Sequence, residues 1–174
     1  MASKIIFFVV VLGMISKSKQ ASEFVIQSCE KTLYKDLCIS ALGSAPATTK
    51  DLQSLTNYGL DLVSSEGAEL LQRCNELLKT ASDQKVKQKL TDCSQTYQTE
   101  IDELKESRVA ADTESYNDVH TRVAAAMNAA EWCEEGFKET PATQSPLTAE
   151  NTRFSQLCSV LLTFCKLLVL PPKE

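Results

Sequence analysis

After residue 48, apolar side chains return every three or four positions through most of the chain, and that period predicts helices. The first helix runs from about residue 49 to residue 81, with Leu52, Leu55, Gly59, Leu62, Leu70 and Cys74 on one face. Thr48 or Thr49 is its expected N-cap, ahead of the acidic Asp51. The second starts at the cap candidate Ser82 and carries the seam Val86, Leu90, Cys93, Tyr97, Ile101 and Leu104. The third repeats Val119, Val123, Ala126, Ala130, Cys133 and Phe137. The fourth has a broader stripe, including Phe154, Leu157, Cys158, Leu161, Phe164 and Cys165, which implies deeper burial. The breaks fall at Ser82, at residues 112–115, and at residues 140–147 with Pro141 and Pro146. Connections this short make consecutive helices antiparallel neighbours. The expected fold is all-α, an up-down-up-down four-helix bundle over residues 48–170.

Two segments precede the bundle. Residues 5–15 form an apolar run behind Lys4, too short to span a bilayer, and a polar stretch with small residues follows. That pattern reads as a signal peptide over residues 1–21. The domain is then residues 22–170, and residues 22–45 form a separate piece with two small apolar faces. One holds Val25, Ile26 and Cys29; the other holds Leu37, Cys38 and Leu42. Neither buries much alone, and a Cys29–Cys38 bond folds them into a short helical hairpin.

Secretion permits disulfides, and the positions of four of the seven cysteines fit them. Cys93 and Cys133 lie equally far from Thr113, so a helix pair that turns at Thr113 brings them to the same height. In the loop-entropy view the shorter bond stabilises by roughly 2–3 kcal/mol and the longer by roughly 3–4 kcal/mol. Cys74 and Cys158 reach similar heights on the first and fourth helices, which makes a third bond geometrically open. The alternative is that Cys74, Cys158 and Cys165 are small buried apolar residues. An odd number leaves at least one thiol unpaired within the chain.

Charge and chemistry narrow the function. Loss of residues 1–21 removes three lysines and no acid, which moves the net charge from −5 to −8. An acidic protein is a poor ligand for nucleic acid or anionic membrane. The apolar fourth helix is interrupted by Lys166 and followed by Pro171 and Pro172, so it reads as a core helix. The one histidine, His120, sits on the third helix with Asn at position 117, where a bundle metal site needs Glu. Acidic pairs such as Asp102-Glu103 and Glu134-Glu135 do not converge on a helix and read as solvated faces. There is no phosphate loop and no Cys-x-x-Cys pair. The expectation is a binding protein with no cofactor and no metal, not an enzyme.

Four motifs in order carry a resemblance. Ile26-Gln-Ser-Cys29-Glu-Lys-Thr-Leu-Tyr-Lys-Asp-Leu-Cys38, Leu90-Thr-Asp-Cys93-Ser-Gln-Thr-Tyr97 and the stretch from Ala124 through Trp132-Cys133 to Phe137 are three of them. Ser145-Pro-Leu-Thr148 before the last helix is the fourth. Together they resemble the plant invertase and pectin methylesterase inhibitors. The resemblance implies a four-helix bundle with an N-terminal hairpin and bonds corresponding to Cys29–Cys38 and Cys93–Cys133. It implies a partner, a plant acid invertase or a pectin methylesterase, bound one to one with its active-site cleft blocked. It also implies the apoplast or cell wall, or the vacuole. In invertase inhibitors of this family a Pro-Lys-Phe motif enters the target's cleft; the matching positions here are Tyr116, Asn117 and Asp118, and the motif is absent. Those three residues and His120 are nevertheless the expected target contacts, as polar groups able to mimic sugar hydroxyls. The Cys133-Glu-Glu-Gly-Phe-Lys-Glu stretch and the Ser145-Pro-Leu-Thr turn give a slight lean to invertase. The rival reading is a non-inhibitory bundle that carries an apolar ligand, hinted at by alanines at 124–126 and 129–130.

Overall fold

The computed structural model describes residues 21–140 and 142–170, and within them the chain is all-helical. The expected leader lies outside this span except for Ala21, as do Pro141, Pro171 and Pro172. The elements are α1 (Glu23–Cys29), α2 (Lys35–Leu42), α3 (Leu52–Thr80), α4 (Gln84–Asp112), α5 (Tyr116–Lys138) and α6 (Thr148–Val169). Helix α3 packs on α4, α4 on α5, α5 on α6 and α6 back on α3, which closes an up-down-up-down bundle. Hairpin α1–α2 leans on α6 and α3 through α2.

Two helix starts differ from the sequence reading. Asp51, not Thr48 or Thr49, caps α3, because Asp51 and Ser54 satisfy each other's backbone amides in a reciprocal box. At α4 the cap is Asp83, whose carboxylate accepts from the amides of Lys85 and Val86. A carboxylate accepts both free amides and also favours the positive end of the helix, which a Ser82 hydroxyl cannot match.

The α4–α5 reversal uses an uncommon residue. The amide of Ser115 reaches the carbonyl of Ala110 and that of Glu114 reaches Ala111, the paired bonds of a Schellman turn. Glu114 holds the left-handed position at φ 57°, where glycine is usual. The interior is filled by Leu55, Leu60, Leu90, Tyr97, Phe137, Phe154 and Phe164, among others. Gly59 brings α3 close to α6: a Cβ there would sit 2.6 Å from Leu161 Cδ2. Helix α6 is long and apolar enough to cross a membrane by length and composition. Its residues Phe154, Leu157, Leu161 and Phe164 are nevertheless buried against the other helices.

Candidate target-binding surface

Cys93 of α4 is bonded to Cys133 of α5, with Cα atoms 5.0 Å apart, and Cys29 is bonded to Cys38 with Cα atoms 5.5 Å apart. The third bond weighed above, Cys74–Cys158, is absent: Cys74, Cys158 and Cys165 are all buried free thiols. Cys74 faces α4 rather than α6 and donates to the carbonyl of Leu90 at 3.3 Å. Burial pushes its thiol pKa up to about 11 and that of Cys165 up to about 12, and raises Cys158 too. A thiol so far from ionisation is a poor nucleophile and a poor ligand.

The Cys93–Cys133 bond floors an open groove between α4 and α5, about 330 Å³ in volume. Trp132, the only tryptophan in the chain, forms one wall and is 62% exposed. Lys85, Gln88, Asp92 and Thr96 form the opposite wall. Gly136 lines the same groove one turn beyond Trp132, and a Cβ added there meets nothing within 4 Å. Glycine in a helix costs about 1 kcal/mol relative to alanine. No packing constraint demands it here. Lys89 closes the end of the groove: its ammonium donates to the carbonyls of Phe137 at 3.2 Å and Glu139 at 2.9 Å, where α5 ends. It also lies 5.8 Å over the Phe137 ring.

On the other side of α5, Glu134 is built into a polar latch. It accepts from Ser145 Oγ at 2.7 Å, Thr148 Oγ1 at 2.8 Å and Asn151 Nδ2 at 2.6 Å. Asn151 in turn accepts from the Tyr97 hydroxyl, which burial keeps protonated by raising its pKa. The latch ties α4, α5 and the α5–α6 connection together. A second groove, between α5 and α6, runs past it, with Tyr34 of the hairpin and Trp132 on its walls. Trp132 therefore stands on a ridge between two grooves.

The residues expected to meet a target lie elsewhere, at the start of α5, and are not all accessible. Tyr116 is 5% exposed, so it belongs to the core. It opens α5 with its ring turned inward, and burial is the main cause of its raised pKa. Asn117 and Asp118 are exposed and His120 half-buried. Asn117 and His120 border a shallow apolar depression with Val169 and Leu170. Asn117 and His120 line a depression that shares no residue with either groove beside Trp132, so the structure offers two separate surfaces. Trp132 was missed in the sequence reading although a signal exists: it is a lone aromatic one position off the Val119-to-Phe137 seam, hence on the polar face. Among the described residues, no group of three or more His, Cys, Asp or Glu side chains is placed to hold a metal ion.

Comparison with known proteins fits this architecture. A pectinesterase inhibitor of Actinidia deliciosa is 27% identical over 94% of this chain and 89% of its own. The cell wall / vacuolar inhibitor of fructosidase 2 of Arabidopsis thaliana is also 27% identical, over 92% of this chain and 95% of its own. The crystal structure of a mutant form of an Arabidopsis pectin methylesterase inhibitor superposes with a TM-score of 0.71, covering 87% of this chain and all of that one. At 22% identity, that likeness speaks to the fold. The family model of the plant invertase/pectin methylesterase inhibitors matches residues 23–164, from the stapled hairpin to the middle of α6, and the chain belongs to that family.

Proposed function

We propose that the protein is a secreted inhibitor, working in the cell wall or vacuole, that blocks the active-site cleft of a plant acid invertase or pectin methylesterase. One copy binds one enzyme through the α4–α5 face. The observation that carries this reading is Trp132: the only tryptophan of the chain stands exposed on a face held rigid by the Cys93–Cys133 bond. Exposed tryptophans anchor interfaces because one side chain buries a large area at little entropic cost. Two staples and short connections preorganise the surface, so little ordering entropy is lost on binding.

A slight lean toward invertase is carried over from the sequence. It rested on the Cys133-Glu-Glu-Gly-Phe stretch and the Ser145-Pro-Leu-Thr turn, and these meet each other: Glu134 accepts from Ser145 and Thr148. A role in the internal latch accounts for these residues without naming the target. The carrier reading gains no support from the interior. The alanines Ala126, Ala129 and Ala130 are buried in close helix packing, and the apolar crevice around Gly59 and Leu161 has no room for a water molecule.

The test is parallel inhibition of a plant acid invertase and a plant pectin methylesterase by the purified, oxidised protein at mildly acidic pH. Saturable inhibition of one class, competitive with substrate, supports the reading and names the target. Inhibition of neither overturns it.

A further inference from the structure

We infer that the α4–α5 groove is itself a carbohydrate-binding site, which takes a short neutral oligosaccharide on the face of Trp132. The site goes beyond the inhibitor reading, although both use Trp132. Three features of the groove favour a sugar. Its single aromatic wall is exposed and flat, and the negative face of an indole attracts the polarised C–H groups on one side of a pyranose ring. The facing wall carries groups that match ring hydroxyls. Gln88 donates to Asp92 at 3.0 Å across one helical turn, which holds an amide and a carboxylate side by side to meet two neighbouring hydroxyls. Lys85 and Thr96 flank them.

The charges balance, since Lys85 and Lys89 stand against Asp92 and Glu139 around the same groove. Such a groove offers no net attraction to a uronate and suits a neutral polyol. Gly136 supplies the third feature. It lies within the last turn of α5, where a side chain would fit without contact, so packing does not demand glycine there. The missing side chain leaves open space on the groove floor next to Trp132, where a ring can lie against the helix. At about 330 Å³ the groove holds a few sugar units and not a long chain.

The sole tryptophan makes the site its own reporter, and no enzyme is needed. The oxidised protein is titrated with cellohexaose, xylohexaose and hexagalacturonate while indole emission and acrylamide quenching are followed. A saturable blue shift and loss of quenching with a neutral hexaose are expected. Gln88→Ala and Asp92→Ala should each weaken binding about tenfold. Gly136→Leu, which favours the helix, should abolish the response while circular dichroism stays unchanged. The inference is overturned if millimolar neutral hexaoses leave the emission unchanged, if only the uronate shifts it, or if Gly136→Leu binds like the parent. An emission change seen only on adding the target enzyme also overturns it, and leaves Trp132 as a protein contact alone. Inhibition assays are separate, so either reading can fail while the other stands.

Discussion

Helix α5 is fastened to its two neighbours by successive residues, and the two fastenings differ in kind. Cys133 joins α4 through a covalent bond. Glu134 joins the start of α6 and the loop before it through three accepted hydrogen bonds, backed by the Tyr97–Asn151 pair. The covalent seam acts mainly by shortening the unfolded chain's freedom and is indifferent to pH and salt. The hydrogen-bonded seam acts only in the folded state, and because Tyr97, Asn151 and Ser145 are buried, removing a partner there leaves a buried polar group unpaired. The exposed ridge with Trp132 sits beside the covalent seam. The ridge proposed to meet a target is thus backed by the fastening that does not open.

The largest break in this comparison comes from the staple. Cys93→Ala with Cys133→Ala removes a bond across 40 residues and should lower unfolding free energy by about 4 kcal/mol, read by urea denaturation. The latch ranks next. Glu134→Ala strands the Asn151 amide and the Ser145 hydroxyl, while the exposed Thr148 hydroxyl keeps the Ser145 carbonyl, for an expected loss of about 2 kcal/mol. Tyr97→Phe keeps the packing and removes one donor, so about 1 kcal/mol is expected. If Glu134→Ala costs no more than a surface substitution, the α5–α6 seam is held by apolar packing alone.

Two smaller effects sharpen the contrast by testing helix ends away from both seams. Glu114→Gly should stabilise by about 1 kcal/mol, since the left-handed backbone at φ 57° strains any side chain with a Cβ. Asp51→Ala should cost about 1 kcal/mol through the lost cap. The backbone and hydroxyl bonds from Ser54 hold the Asp51 carboxyl below the usual carboxylate range. Its contribution is therefore full above about pH 4 and disappears as pH falls through the lowered value. A thermal melt of Asp51→Ala against the parent should differ at pH 6 and converge in strong acid.

The helices were legible in the sequence because an apolar face repeating at the helical period is the property that burial selects. The Cys93–Cys133 staple was legible because both cysteines lie on the apolar seams of adjacent antiparallel helices as well as equally far from the turn. The caps were misplaced by a few residues because three neighbouring polar residues compete, and only reciprocal bonding to Ser54 decides for Asp51. Cys74 and Cys158 were matched by height, but height does not give the direction a side chain takes around its helix, and Cys74 turns to Leu90. Glu134 read as solvated because its partners, Ser145, Thr148 and Asn151, lie beyond a loop that sequence spacing cannot close. Tyr116 read as a contact because it aligned with a known motif, whereas its first helical position turns an apolar ring inward.

The stapled α4–α5 ridge, not the start of α5, is the surface proposed to meet the target. The deciding measurement is the inhibition constant of Trp132→Ala beside that of the double variant Asn117→Ala with Asp118→Ala, against whichever enzyme the parent inhibits. Loss of a central aromatic anchor costs about 2 kcal/mol or more, so Trp132→Ala should weaken inhibition by roughly thirtyfold while the double variant stays within about threefold of the parent. The reverse ranking, with Trp132→Ala unimpaired and the double variant inactive though folded, would contradict the account and return the contact to the start of α5.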